Sequence, residues 1–193
     1  NDWVDMEQAR QVARLLAQRE PLLKRIEQLA MAGNGSVSMR LHGDLHLGQV
    51  LIAFKDVFII DFEGEPARTL EERRAKGSPL RDVAGLMRSF EYASAFGHNM
   101  GPGDLDEAAR AGKEQVFKRF APECQAAFLE GYRVGNPALM HSLPLAAQND
   151  LLDLFSLEKA AYEICYEAAN RPAWLHVPLS GIHAIAARLL GKT

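Results

Sequence analysis

Two short apolar runs, Val50–Phe54 and Val57–Ile60, are joined only by Lys55-Asp56. Runs of β-branched and aromatic residues with so short a polar joint predict a β-hairpin. That hairpin constrains what surrounds it. Antiparallel pairing brings Gln49, which enters the first strand, beside Asp61, which leaves the second. Asp44 lies five residues before Gln49, in the segment Leu41-His42-Gly43-Asp44-Leu45-His46-Leu47-Gly48-Gln49. Gly43 marks an unusual backbone angle or a close approach there.

An amide and two carboxylates gathered around a hairpin suit phosphoryl transfer. One carboxylate orients the acceptor hydroxyl, and the amide oxygen and second carboxylate hold Mg²⁺ against nucleotide phosphates. Two other readings stand beside this one. His42, Asp44 and His46 alternate as zinc ligands of a metallohydrolase would, but Gly43 interrupts the extended chain this needs, and no later His/Cys cluster completes the shell. Asp44 and Asp61 also suit ordinary turns, which leaves the joint pattern of Asp44, Gln49, two strands and Asp61-Phe62 to chance. The chain has no nucleophile-elbow or reactive-cysteine context and no Walker-type phosphate loop.

The rest reads as helical scaffold, giving a mainly α fold with a small β-hairpin (α+β). Residues 4–20 carry an apolar stripe at helical spacing, and Pro21 restarts or kinks it before a second stripe runs to Met31. Ser36–Leu41 is extended, and residues 64–77 form a charged loop. Arg73, Arg74 and Lys76 in that loop read as solvated surface, with phosphate contact the alternative. Ser78-Pro79 reads as an N-cap with Pro at the first helical position, and Asp82 in the first turn is expected to brace the loop around Asp44. A break is expected at Gly97–Gly103. Helices then follow over Asp104–Phe120, Pro122–Val134, Leu145–Ala169 and Ser180–Leu190.

At 193 residues and 48% hydrophobic, the chain supports one folded domain or one lobe of a larger protein. A net charge of −3 offers no electrostatic footprint for nucleic acid or anionic membrane. No apolar run reaches membrane-span length, and no signal-peptide pattern opens the chain. Cys124 and Cys165 read as buried free thiols in a reducing compartment, so the cytoplasm is the expected location. Asn1-Asp2-Trp3 has no initiator Met and leads straight into a helical pattern, as though the chain began in mid-protein.

His42-Gly43-Asp44, Gln49 and Ile60-Asp61-Phe62-Glu63 resemble the catalytic and metal-binding segments of aminoglycoside-phosphotransferase-like kinases, relatives of the protein kinases. HGDLHLGQVL, IIDFEGEPAR, RRAKGSPLRDVAGLMRSFEYA and the late Tyr162-Glu163, Tyr166-Glu167 and Arg171-Pro172-x-Trp174-Leu175 look like bacterial maltokinases, including the kinase portion of trehalose synthase–maltokinase fusions. The resemblance runs from about residue 36 to near the end.

The resemblance implies transfer of the ATP γ-phosphate to maltose, giving maltose 1-phosphate for α-glucan and trehalose metabolism, with ATP and Mg²⁺ as cofactors. It implies Asp44 as catalytic base and His46 as a phosphate contact or a positioner of Asp44. Gln49 and Asp61 become Mg²⁺ ligands, and Glu63 either binds a second cation or holds the loop. Here Gln49 replaces the family's Asn and Glu63 the Gly of D-F-G. Tyr162, Glu163, Tyr166, Glu167, Arg171 and Trp174 are candidates for the sugar site, with core packing the alternative for the aromatics.

A kinase of this type also needs an upstream β-rich ATP-binding lobe, which residues 1–35 are too short and too helical to supply. The chain is therefore expected to be a kinase C-terminal lobe, one domain over 1–193, with a helical lead-in (1–35), the catalytic loop and metal hairpin (36–64) and a helical subdomain (78–193). Expected partners are maltose or a related sugar, the amino-terminal lobe, and a fused or associated trehalose synthase. By itself the chain is expected to turn over little substrate. Two further alternatives are a kinase of the same fold acting on another sugar or an amino alcohol, and a non-catalytic interaction module.

Overall fold

The structure is a computed structural model that describes residues 6–100 and 105–191. The expectations for Asn1-Asp2-Trp3, for Val4 at the start of the first helix, for Gly101–Gly103 in the break and for Asp104 lie outside the described residues.

The fold is mainly helical with two small two-stranded sheets. It divides into two compact units, one of Asn1–Ser36 with Leu143–Thr193 and one of Val37–Ser142.

The first unit packs α1 (Met6–Ala17) and α2 (Arg19–Met31) on α7 (Leu145–Asn170) and α8 (His176–Leu189). Pro21 sits in the first turn of α2, where its missing N–H costs no helical bond, so it marks a restart rather than an interior kink. Leu22, Leu157, Ala160, Ile182, Ile185 and Ala186 form the core. Polar ties sit at its edge: Arg25 Nη2 donates to Asp150 Oδ1 at 3.1 Å, and His183 Nε2 lies 2.7 Å from the Gln11 carbonyl. The last helix begins at His176 rather than Ser180, directly after a 3₁₀ turn at Pro172–Trp174.

The second unit carries the hairpin. β2 (Val50–Ala53) pairs antiparallel with β3 (Asp56–Ile59) in the register Val50↔Ile59 to Ala53↔Asp56. The turn is Phe54-Lys55, one residue earlier than the sequence reading put it. Both residues have positive φ, 54° and 66°, as the primed hairpin turns require. Asp56 instead closes the ladder opposite Ala53, and its carboxylate accepts the Val57 N–H at 2.8 Å.

The segment expected as a charged loop is partly ordered. Thr69 caps α3 (Leu70–Arg74) in a reciprocal capping box with Glu72. These hydrogen bonds, from the Thr69 hydroxyl first and its backbone second, hold the Glu72 carboxyl below its ordinary range. β4 (Lys76–Gly77) then pairs antiparallel with β1 (Met39–Arg40), so the chain leaving the loop is tied to the chain entering His42.

α4 (Leu80–Asn99) starts just after Pro79 and runs past the expected break at Gly97. Gly97 is a contact position: a Cβ there would meet the Phe117 ring at 2.4 Å. α5 (Glu107–Gly135) is one helix with Pro122 inside it, where two helices were expected. Packing against α4 outweighs the one hydrogen bond that proline removes. The Phe90–Phe128 ring pair, the Ser94 hydroxyl donating to the Phe117 carbonyl at 2.9 Å and Gln125 Nε2 donating to the Met87 carbonyl at 2.9 Å join the two helices. α6 (Pro137–Ser142) closes this unit.

The expectation of two buried thiols is corrected. Cys165 is exposed and Cys124 half-buried, both free; Cys165 points away from the face of α7 that buries Ala160, Glu163 and Glu167.

Candidate active site

Gln49 and Asp61 meet at the base of the hairpin. Gln49 Nε2 donates to Asp61 Oδ2 at 3.1 Å, and the Ile60 N–H donates to the Gln49 carbonyl at 3.0 Å, which extends the ladder by one bond. Asp61 has φ 65°, a left-handed conformation that Asp tolerates better than most side chains. That turn ends the strand and begins Phe62-Glu63-Gly64.

The loop carrying Asp44 is held from three sides. On the first, Asp82 in α4 accepts the His42 N–H at 2.7 Å and the Gly43 N–H at 3.0 Å, one on each carboxylate oxygen. This is the bracing expected of it. On the second, buried His42 reaches the hairpin: its Nε2 lies 2.7 Å from the Ile60 carbonyl, and its ring stands 4.8 Å from that of Phe62. His42 Nδ1 also receives the Asp44 N–H at 3.4 Å. The two contacts together require the proton on Nε2. On the third, Ser89 Oγ accepts the Leu47 N–H at 3.1 Å and donates to the Leu86 carbonyl at 2.6 Å. A Cβ on Gly85 would meet the Leu45 carbonyl at 2.9 Å, so α4 approaches the loop backbone more closely than any other residue there allows.

The Asp44 side chain is 22% exposed, enough to reach a ligand. His46 Nε2 lies 4.0 Å from Asp44 Oδ2, while His46 Nδ1 accepts the Gly48 N–H at 3.1 Å and caps the 3₁₀ turn Leu47–Gln49. His46 is thus fixed by its own loop with one ring nitrogen turned toward Asp44.

The donors at Gln49 and Asp61 are oxygens, which suits a hydrated Mg²⁺ completed by phosphate oxygens and water rather than a protein cage. Among the described residues no group of three or more His, Cys, Asp and Glu side chains converges as a metal site. Glu63 is exposed, and its carbonyl accepts Arg73 Nη1 at 3.4 Å.

Tyr132 in α5 belongs to the surroundings of Asp82. Burial first, then the negative charge of Asp82, raises its phenol above the ordinary value of 10.0.

The acceptor candidates lie in the other unit, on α7 and the turn after it. Glu163 and Glu167 are buried, Glu167 at 1% exposure. Arg171 grips Glu167 with two bonds, Nε to Oε2 at 3.0 Å and Nη2 to Oε1 at 2.6 Å. Tyr162 and Tyr166 stack at 6.3 Å with 25° between their planes; Lys159 lies over the Tyr162 ring at 5.2 Å and Arg171 over that of Tyr166 at 5.4 Å. The helical spacing of the Glu and Tyr pairs made these groupings visible in sequence. Trp174 ends the 3₁₀ turn that follows.

Sequence reasoning missed Gly64, Gly85 and Ser89 as parts of the loop scaffold. Only Gly64 had a signal, as a glycine directly after an acidic turn.

No protein-family profile matches the chain. A glucosamine kinase of Mycolicibacterium smegmatis (strain ATCC 700084 / mc(2)155) is 26% identical over 147 residues, 75% of this chain and 33% of that protein. A glucosamine kinase of Streptacidiphilus jiangxiensis is 27% identical over 154 residues, 77% of this chain and 31% of that one. Among solved structures, a glucosamine kinase in complex with glucosamine, ADP and inorganic phosphate superposes with a TM-score of 0.65 at 21% identity, covering 96% of this chain and 49% of that chain. Crystal form B of a glucosamine kinase gives 0.63 at 21%, covering 92% and 45%. The chain thus spans about a third of the length of these curated relatives and about half of the solved chains. Its fold is that of the matching part of these kinases. The maltokinase resemblance broadens here to sugar kinases, since the relatives matched are named for glucosamine.

Proposed function

We propose that this chain is the acceptor-side, carboxy-terminal lobe of an ATP-dependent sugar kinase whose substrate is glucosamine or a close amino sugar. The observation that carries the reading is the Gln49–Asp61 contact at the base of a hairpin whose neighbouring loop presents Asp44. ATP binding requires an amino-terminal lobe contributed by a longer parent protein.

In the proposed reaction Asp44 accepts the proton of the attacking sugar hydroxyl. The freed oxygen pair forms the bond to the γ-phosphorus, and the bond from that phosphorus to the bridging oxygen breaks, releasing ADP. His46 orients Asp44 or touches a transferring phosphate oxygen. Gln49 and Asp61 would hold Mg²⁺, with Glu63 supporting the loop; the ion would neutralise phosphate charge. A sugar that carries an ammonium group needs a carboxylate partner, and on α7 Glu163 is the candidate, since Arg171 already holds both oxygens of Glu167. The tyrosine rings contact each other, Lys159 and Arg171, and Tyr166 is still 44% exposed. Tyr166 therefore offers a ligand ring surface as well as its hydroxyl, with Arg171 and Trp174 as the remaining candidates. A reducing, cytoplasmic setting fits free cysteines and ATP use.

Maltose is the second reading, favoured by the run of segments similar to maltokinases, and with it a trehalose synthase partner. The test uses the full-length parent with ATP and Mg²⁺, offered glucosamine, maltose and glucose separately, and follows the product by phosphorus NMR. A sugar phosphate formed with glucosamine, and absent in Asp44→Ala, supports the proposal. Product from maltose alone transfers it to the second reading. Intact ATP with every sugar would point instead to a non-catalytic interaction module. The 193-residue chain alone is expected to turn over little ATP.

A further inference from the structure

We propose that Arg73 is a positioning residue for the Asp61–Gly64 loop, acting through Glu63 and Gly64 rather than by touching ATP or metal. The inference deepens the kinase reading and rests on it for the role of Asp61. Asp61 turns left-handed (φ 65°), and Gly64 does so again at φ 82°. Two such turns within four residues give a short loop whose path is not set by a strand ladder or a helix. Something outside the loop must hold it.

Gln49 and His42 contact its first half at Asp61 and Phe62, and Arg73 is the side chain in place at its second half, Glu63 and Gly64. Its aliphatic stem covers Gly64 so closely that an added Cβ would meet Cγ at 3.1 Å, Cδ at 3.2 Å and Cβ at 3.3 Å. Its Nη1 donates to the Glu63 carbonyl at 3.4 Å, while its buried Nε has no hydrogen-bond partner. A guanidinium with an unused buried N–H is not placed by its own hydrogen bonding alone. Packing on Gly64 sets its position, and that packing fixes the loop. Arg73 itself is anchored from behind, because the Thr69–Glu72 capping box closes α3 and the β1–β4 pair ties down the chain that follows. The run of Arg73, Arg74 and Lys76 therefore contains one residue with a specific duty. Arg74 and Lys76 are exposed.

The test compares wild type, Arg73→Ala and Arg73→Lys on the 193-residue chain, with two readouts beside thermal stability. The first is the backbone order of the Glu63 and Gly64 amides by ¹⁵N relaxation, without metal. Rigid backbone gives an order parameter of about 0.85, and Arg73→Ala is expected to fall toward about 0.6. The second is Mn²⁺ affinity by water-proton relaxation, with Asp61→Asn marking the site. Arg73→Ala is expected to weaken it about 10-fold, the scale of losing an outer-shell support. Arg73→Lys keeps the stem over Gly64 and is expected to recover most of the order and affinity. Unchanged order at Glu63 and Gly64 in Arg73→Ala overturns the inference, as does unchanged Mn²⁺ affinity. A fall in melting temperature that leaves both readouts unmoved reduces Arg73 to a stability role and overturns it too. If wild type binds no Mn²⁺ that Asp61→Asn abolishes, the metal reading of Asp61 fails, while the order parameters still decide whether Arg73 positions the loop.

Discussion

Gly43 and Gly64 lie face to face: a Cβ built on Gly43 would stand 3.1 Å from the Gly64 Cα. The loop that carries Asp44 and the loop that follows Asp61 therefore touch through two glycines, both left-handed, at φ 85° and 82°. A side chain at Gly43 would push the two segments apart, whereas one at Gly64 would meet Arg73.

The two substitutions should differ in cost. Left-handed backbone costs an alanine about 1–2 kcal/mol. Gly43→Ala adds a clash with backbone, which cannot swing away. Gly64→Ala meets Arg73 at Cγ, Cδ and Cβ, a side chain that can shift in part, at the cost of its hold on the loop. Gly35→Ala is the control, with φ 84° and nothing within 4 Å of the new Cβ. Chemical denaturation should rank the losses Gly43→Ala above Gly64→Ala above Gly35→Ala. Equal losses at Gly43 and Gly35 would mean that the contact between the two loops carries no energy.

Asp82 supplies one oxygen to the His42 N–H and the other to the Gly43 N–H. Asp82→Ala removes both acceptors and strands two backbone donors beside α4. Hydrogen bonds to a charged group are worth about 1.5–3 kcal/mol, and unmet donors cost on that scale. A loss of about 2 kcal/mol is expected by urea titration. Asp82→Asn keeps one acceptor oxygen and should lose less, so an Asn variant as unstable as the Ala variant would contradict the two-bond account.

Asp61 separates backbone tolerance from metal chemistry. Asn occupies left-handed backbone as readily as Asp and still accepts from Gln49 Nε2. Asp61→Asn should therefore change stability by no more than about 0.5 kcal/mol while abolishing Mn²⁺ binding. Asp61→Ala should lose the metal and about 1 kcal/mol more, from the conformation alone. Retained Mn²⁺ affinity in both variants would remove Asp61 from the metal site.

The Gln49–Asp61 meeting was legible because the apolar runs announced a hairpin, and its open end brings the flanking residues together even with the turn one residue earlier than expected. The bracing by Asp82 was legible because an acidic residue in a first helical turn has few duties. Other features were hidden for a physical reason in each case. Pro122 reads as a helix break in isolation, yet packing on α4 carries α5 straight through it. Gly97 reads as a stop, yet it is small because Phe117 lies against it. The order in residues 64–77 depends on β4 finding β1 far back in the chain, which no local pattern encodes. The candidate acceptor residues were visible as helical spacing, but not that Arg171 grips Glu167 and lies over the Tyr166 ring.

Glu167 and Arg171 give a test within the other unit. The Glu167 side chain is 1% exposed and Arg171 is 52% exposed, so the carboxylate is the buried member. Removing the arginine leaves a buried charge without its two-bond partner, which costs about 3 kcal/mol in comparable pairs. Arg171→Ala should be destabilised on that scale, and the double variant with Glu167→Gln should recover part of it. If the double variant is no more stable than Arg171→Ala, the loss comes from stacking on Tyr166 rather than from the stranded carboxylate.

Tyr132 contributes to the loss of stability of the second unit at alkaline pH. Its folded pKa is raised, by burial and by Asp82. Below the ordinary value of 10.0 both folded and unfolded chains keep the phenol proton, and Tyr132 adds no pH dependence. As pH rises past that value the unfolded chain releases the proton first. The unfolded state then binds fewer protons than the folded one, and stability must fall with pH. Tyr132→Phe cannot ionise and should flatten that part of the curve, while Asp82→Asn should make the fall smaller and end it at lower pH, by the smaller, electrostatic share of the shift. Urea midpoints measured at pH 9 and above for wild type and Tyr132→Phe decide the point: parallel curves would show that the phenol titrates alike in both states.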